Sequence, residues 1–100
     1  MIRHIVWWTL KGEDEVEVAA NARRILEAAR ELGGIPGLAS VEVSTEVQKT
    51  STVPARVVLQ SSHADMDALA AYAAHPAHQA FLAVVKGVAA SRQALDYSID

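Results

Sequence analysis

Residues 2–10 form a short stretch rich in β-branched and aromatic side chains, the composition typical of a strand. One face of this strand would hold Ile2, His4, Val6, Trp8 and Leu10, and the other face would hold Arg3, Ile5, Trp7 and Thr9. A strand with large apolar groups on both faces is covered on both faces. Helices of the same chain can cover one face, so the other requires a further cover, such as a second subunit.

Apolar residues at helical spacing follow a turn at Lys11-Gly12-Glu13, and they are Val18, Ala22, Ile25, Ala29 and Leu32. Asp14 is suited to cap the start of this helix, with Glu17 at the capping-box position. We expect Gly33-Gly34 to end the helix in a left-handed cap, because glycine adopts that conformation without steric penalty. Pro36-Gly37 then prevents the helix from continuing.

Two further stretches of alternating residues, 38–48 and 55–61, predict strands on either side of a polar loop at 49–54. In the first, Val41, Val43 and Val47 alternate with polar residues, which indicates one solvent-exposed face. We expect a bulge in it near Ser44-Thr45. The second places Val57 and Leu59 on one side.

The remainder of the chain predicts two helical segments and a final strand. Ser62 or Asp65 would cap the first segment, which carries Met66, Leu69 and Tyr72 at a spacing of three. His75-Pro76 interrupts it, because the residue before a proline is disfavoured in helical conformation and proline suits the first position of a new helix. The second segment has an apolar stripe of Phe81, Leu82, Val85 and Val88, and residues 92–99 predict the strand.

The resulting order, β-α-β-β-α-β with a broken second helix, predicts an α+β protein of the ferredoxin-like class. The chain has 100 residues, and we expect residues 1–100 to form one domain. Hydrophobic residues make up 51 % of it, but many are alanines, which bury little area each. A small core of this kind favours stabilisation by self-association, so we expect a homodimer.

Charge and cysteine content exclude several classes of function. The net charge is −3 without a basic block, so nucleic-acid binding has no electrostatic support. The absence of cysteine excludes disulfides and thiolate metal sites, and it fits a reducing cytoplasm. The apolar start of the chain is too short for a membrane span. We therefore expect a cytoplasmic protein that binds neither nucleic acid nor membrane.

Five short motifs along the chain coincide with one known pattern. They are Ile2-Arg3-His4-Ile5-Val6, Ile35-Pro36-Gly37-Leu38, Tyr72-Ala-Ala-His75-Pro76-Ala-His78, Val85-Lys86-Gly87-Val88 and Leu95-Asp96-Tyr97. Together they resemble the stress-responsive A/B barrel family, often called Dabb, over essentially the whole chain. The third motif is the most specific. The resemblance implies a ferredoxin-like protomer that pairs with a copy of itself into a dimeric α+β barrel.

The resemblance implies a mixed range of functions. Some plant members are stress-induced proteins, one plant branch comprises polyketide cyclases that close a linear poly-β-keto intermediate into an aromatic ring, and many bacterial members have no assigned activity. The residues at the positions of Tyr72 and His78 are the catalytic pair that the cyclase branch implies, and His4 matches a pocket histidine. Relatives commonly carry an aromatic residue where this chain has His63.

The chemistry of the residues agrees with a cofactor-free site. His78 would occupy the third position of its helix, near the positive end, which favours the neutral imidazole that a general base requires. The Tyr72 hydroxyl could donate to a developing enolate oxygen. We expect a small apolar cavity between helices and sheet to bind a hydrophobic ligand, with the lining residues His4, Val6, Trp8, Phe81 and Val85.

Structural roles are the alternative for the same residues. His75 and His78 can shape a helix break, Tyr72 and Trp8 can be core aromatics, and His4 can be a hydrogen-bonded strand residue. Because Pro76 disturbs the helix geometry between His75 and His78, we expect no metal site, and we expect no cofactor. The rival functions are a non-enzymatic stress or structural dimer and a cofactor-free monooxygenase-like protein on the same barrel.

Overall fold

The computed structural model describes residues 1–100, and its elements follow the predicted order. They are β1 (Ile2–Leu10), α1 (Glu15–Ala28), β2 (Leu38–Ser44), β3 (Val57–His63), α2 (Met66–Ala74), α3 (Pro76–Val88) and β4 (Ala89–Ser98). The four strands form one sheet in the order β2-β3-β1-β4, and all neighbours are antiparallel. This confirms the ferredoxin-like α+β class, with the second helix broken in two. No helix is both long and apolar enough to cross a bilayer.

The start of α1 is as predicted, but its end is not. Asp14 is the N-cap, and its Oδ1 accepts from the Glu17 N–H at 2.9 Å. The predicted left-handed cap is wrong, because neither Gly33 nor Gly34 has a positive φ. The helix tightens into a 3₁₀ segment over Ala29–Gly34, which supplies partners for its last carbonyls. The 3₁₀ segment ends at Ile35, which has an extended backbone and is buried in the core.

The strand boundaries differ from the predicted ones. β2 ends at Ser44 rather than Gln48, because the Ser44 hydroxyl accepts from the Glu46 N–H at 3.0 Å and turns the chain out of the sheet. The irregularity in β2 lies between Leu38 and Ser40, not near Ser44-Thr45. β3 continues to His63, which pairs with Ile2 at the start of β1. The alternation of apolar residues misses this extension, because residues 62 and 63 are polar.

One face of the sheet carries the core. The helices pack on this face, where the buried apolar residues include Val6 and Trp8 of β1, Val57 and Leu59 of β3, Ala22 and Ile25 of α1, Leu69 and Tyr72 of α2, and Phe81, Val85 and Val88 of α3. Burial of one such large aliphatic side chain stabilises the fold by about 1.5–3 kcal/mol. The alternation in β1 correctly placed Val6 and Trp8 on one face, and the structure turns that face towards the helices.

The opposite face of the sheet has no helix over it. Residues paired across antiparallel strands share a face, so Ile5 lies beside Leu95 of β4 and Trp7 beside Gln93. The Trp7 Nε1–H donates to Gln93 Oε1 at 2.9 Å. Leu95 is 53 % exposed. The protomer thus covers β1 on one side only, and a large apolar surface remains on the other.

Candidate functional site

The break between α2 and α3 positions the predicted site residues. His75 is extended, with φ −64° and ψ 139°, as expected for a residue before a proline. It ends α2 and also caps α3, because its Nδ1 accepts from the Ala77 N–H at 3.0 Å. Pro76 begins α3, so His78 lies at the third position of that helix. His75 therefore has a backbone-capping role.

The ring of His78 is held in one orientation by the last turn of α2. Its Nδ1 lies 3.0 Å from the Ala73 carbonyl oxygen. A carbonyl can only accept, so Nδ1 donates its proton and Nε2 retains a lone pair. Burial lowers the pKa of His78, the Ala73 carbonyl opposes this, and the charges of His4 and Arg92 lower the pKa further. The ring is thus a neutral imidazole with an acceptor nitrogen.

Tyr72 packs directly against His78, with ring centroids 4.5 Å apart. It is only 2 % exposed, and its buried hydroxyl has no hydrogen-bond partner. Burial raises the pKa of Tyr72 to about 12. The Ser61 hydroxyl opposes part of this rise, but its contact with the Tyr72 hydroxyl falls outside ordinary hydrogen-bond geometry, and the phenol has no other partner. This phenol stays protonated and remains available as a donor.

His63 lies on the other side of Tyr72, with ring centroids 4.8 Å apart. It is fully buried; its Nε2 is 2.8 Å from the Ser61 hydroxyl, and its Nδ1 has no partner. Burial and the nearby His4 lower the pKa of His63, Asp96 opposes this, and His78 lowers the pKa further. The sequence showed His63 only as a departure from the family pattern. Its spacing of two from Ser61 was the signal that both face the helices.

His4 pairs with Asp96, which lies directly opposite it on β4. The His4 Nδ1 and the Asp96 Oδ1 are 2.5 Å apart. Because the carboxylate accepts, His4 donates through Nδ1. Asp96 was not predicted as a site residue, since it lies 92 positions from His4 in the chain. No group of three or more His, Asp or Glu side chains is arranged to hold a metal ion.

A cavity of about 570 Å³ opens beside His78, between α3 and the start of β4. Its wall includes Trp8, His78, Leu82, Val85, Lys86 and Arg92. Of the residues predicted to bind substrate, Trp8 and Val85 line it. Val6 and Phe81 are buried in the adjoining core, where the Phe81 ring lies edge-on to Trp8 with centroids 6.0 Å apart, and His4 and Tyr72 are also outside the wall.

A second cavity, of about 420 Å³, lies on the other side of the molecule, between α1 and the loop that leads to β3. Its wall includes Arg23 and Arg56, but none of the predicted site residues. The Arg56 guanidinium is engaged with Glu15 at 2.8 Å and with the Thr45 carbonyl at 2.9 Å. The cavity beside His78 is therefore the candidate site.

Solved structures with the same fold come from several bacteria. A dimeric ferredoxin-like protein of unknown function from Bacteroides fragilis is 24 % identical, with a TM-score of 0.83 over 98 % of this chain and 95 % of its own. A Dabb family protein from Mesorhizobium loti is 25 % identical, with a TM-score of 0.77 over 98 % and 95 %. SnoaB, a cofactor-independent oxygenase from Streptomyces nogalater, is 14 % identical, with a TM-score of 0.70 over 98 % and 91 %.

No curated protein matches the chain at a significant level. The profile of the stress responsive A/B barrel domain, Dabb, matches residues 2–99, which is nearly the whole chain. This chain therefore belongs to the Dabb family.

Proposed function

We propose that this protein is a homodimer that binds a small apolar molecule beside His78 and promotes a cofactor-free carbon–carbon ring closure of the polyketide-cyclase type. The observation that carries this proposal is the state of His78. Its Nδ1 donates a hydrogen bond to the Ala73 carbonyl, its pKa is lowered, and its ring borders a cavity. A neutral imidazole with a free Nε2 at a partly enclosed site is suited to general-base catalysis.

The reaction would begin when His78 Nε2 removes a proton from a carbon between two carbonyl groups. The resulting enolate carbon would attack a second ketone of the same chain, and the new alkoxide would take the proton back from the His78 imidazolium. Loss of this hydroxyl as water from the cyclic aldol, followed by enolisation of the remaining ketones, would give the aromatic ring. Tyr72 would donate a hydrogen bond to the oxygen on which negative charge develops. Its hydroxyl lies outside the cavity wall, so a substrate oxygen must enter the buried space, where it would find an unpaired donor.

Self-association is proposed through the sheet face that has no helices over it. That face exposes Leu95 and Tyr97, with Ile5 and Trp7 partly exposed beside them. Contiguous apolar surface of this kind is typical of interfaces. Structural relatives from Bacteroides fragilis and Thermobifida fusca are described as dimeric. Leu95→Asp should shift the protein from dimer to monomer in sedimentation velocity, whereas Val16→Asp, on exposed α1, should leave it dimeric.

The catalytic test uses a linear poly-β-keto thioester and measures the aromatic product. His78→Ala should lower turnover by about 10²–10⁴-fold, the usual contribution of a general base, while the dimer remains folded. His75→Asn is the matched control, because asparagine can still cap α3 while a neighbouring histidine is lost. Turnover in His78→Ala equal to that of the wild type would contradict the catalytic role.

A non-enzymatic dimer is the second candidate, favoured by the packing of Tyr72 between His63 and His78. In that case His78→Ala would lower the free energy of unfolding, and the wild-type protein would show no turnover. A cofactor-free oxygenase reaction has weaker support. The likeness to the Streptomyces oxygenase is one of fold, and no residue of this chain favours oxygenation over ring closure.

A further inference from the structure

The cavity beside His78 has two cationic side chains on its wall and no acidic one. Lys86 lies in the last turn of α3, and Arg92 lies on β4 opposite Trp8. Neither takes part in an ion pair; the ion pairs of the structure are His4–Asp96 and Glu15–Arg56. The whole chain carries a net charge of −3, so this region reverses the overall sign.

Unpaired cations around an apolar cavity attract a counterion. Field lines concentrate in a concave site with walls of low dielectric constant, so two positive groups there raise the local concentration of anions. The positive charge of Arg92 already reaches the site, because it contributes to the lowered pKa of His78. The charge of an anion bound here would therefore also act on the His78 ring.

The rest of the wall is mainly apolar. Leu82, Val85 and alanine side chains supply the apolar part. Trp8 also lines the cavity; it is only 1 % exposed, and its Nε1–H has no hydrogen-bond partner. The indole nitrogen itself is inaccessible to solvent, so Trp8 contributes ring surface to the wall rather than a donor. The wall thus combines apolar surface with two cationic groups.

We propose that this cavity selects small organic anions, in which an apolar ring or chain carries an acidic group that contacts Lys86 and Arg92. This ligand class rests on the proposed binding site, but it does not depend on whether His78 catalyses a reaction. It narrows the ligand from any hydrophobic molecule to an amphipathic one with a negative charge.

Two fluorescent probes test the proposal with the intact dimer. They are 1-anilinonaphthalene-8-sulfonate and N-phenyl-1-naphthylamine, which share the same rings and differ by one sulfonate. The double variant Lys86→Gln, Arg92→Gln should weaken binding of the sulfonate probe about five- to tenfold, as expected for the loss of two exposed ion pairs. The neutral probe should change less than about twofold.

The matched control is the double variant Arg24→Gln, Lys49→Gln. Both of its residues are exposed and lie outside the cavity, and the variant changes the net charge by the same amount. The proposal would be overturned if this control lost as much affinity for the sulfonate probe as the Lys86, Arg92 variant does. It would also be overturned if the Lys86, Arg92 variant lost as much affinity for the neutral probe as for the sulfonate probe. Failure of the wild-type protein to bind the sulfonate probe would overturn it as well.

The variant Ala90→Phe tests whether the probes bind in this cavity, because Ala90 is exposed and lines it. Both probes should bind this variant more weakly, and unchanged binding of both would overturn the proposal. Turnover by His78 is a separate result. If the Lys86, Arg92 variant binds the sulfonate probe as well as the wild type does, and the wild type shows turnover, only the ligand class is refuted. If binding of the sulfonate probe depends on the two cations but the wild type shows no turnover, only the proposed reaction is refuted.

Discussion

The buried pair of Ser61 and His63 should behave as one energetic unit. Both side chains are fully buried, and the Ser61 hydroxyl and His63 Nε2 are 2.8 Å apart. In Ser61→Ala, His63 would have no hydrogen bond at all, since its Nδ1 is already unpaired. A buried polar group without a partner lowers the free energy of unfolding by about 1–3 kcal/mol. We expect a loss in that range.

The second perturbation is His63→Phe, which keeps an aromatic ring against Tyr72 and leaves the Ser61 hydroxyl without its partner. This variant should also lose about 1–3 kcal/mol. In the double variant, both polar groups are replaced by apolar ones, so neither is left unpaired. Its loss should be smaller than the sum of the single losses by about 1 kcal/mol or more.

Urea unfolding followed by circular dichroism measures these free energies. All four proteins should be compared at one protomer concentration, because self-association makes the midpoint depend on concentration. In thermal unfolding, each 1 kcal/mol should appear as a shift of about 4–8 °C for a chain of this size. If the two single losses add to the double loss within about 0.5 kcal/mol, the two side chains are not coupled, and the reasoning from the buried hydrogen bond is refuted.

Three further predictions concern pH, a helix cap and a glycine. Because the pKa of folded His63 is below its ordinary value of 6.5, its contribution to stability should be complete above that pH and fall as the pH drops towards the folded pKa. Urea unfolding at about pH 7.5 and about pH 5.5 should therefore show a smaller difference in His63→Phe than in the wild type, and an equal difference would contradict this. Asp14→Ala should lower the free energy of unfolding by about 1 kcal/mol in the same assay, through loss of the α1 cap; no change would show that the cap contributes nothing. Gly12→Ala should lower the melting temperature and Gly33→Ala should not, because a Cβ at Gly12, where φ is +150°, would lie 2.8 Å from Val18 Cγ2, whereas a Cβ at Gly33 meets nothing within 4 Å. Equal melting temperatures would contradict this last prediction.

Local rules were sufficient for much of the fold. The alternation in residues 2–10 predicted β1 with its observed bounds and placed Trp7 and Trp8 on opposite faces. The Asp14 cap and the break at His75-Pro76 were also predicted, because each depends on the sterics and hydrogen bonds of residues a few positions apart. The same break placed His78 in the first turn of α3, as observed.

Predictions that depended on contacts between distant segments were less successful. The end of α1 was wrong because a 3₁₀ segment and buried Ile35 replace the glycine cap. The end of β3 was missed because pairing with β1, not alternation, holds residues 62 and 63 in the sheet. The lowered pKa of His78 agrees in direction with the helix-end prediction, but burial is its main cause.

The sequence by itself determined the order of elements, the β-α-β-β-α-β class and the residue types of the candidate site. Periodicity, caps and proline sterics act over short distances along the chain, so they can be read from it. Only the tertiary structure decided that Asp96 pairs with His4, that Tyr72 lies between His63 and His78, and that the cavity reaches His78 but not the Tyr72 hydroxyl. Burial and pairing between distant segments depend on how the sheet and helices pack, which no local pattern records.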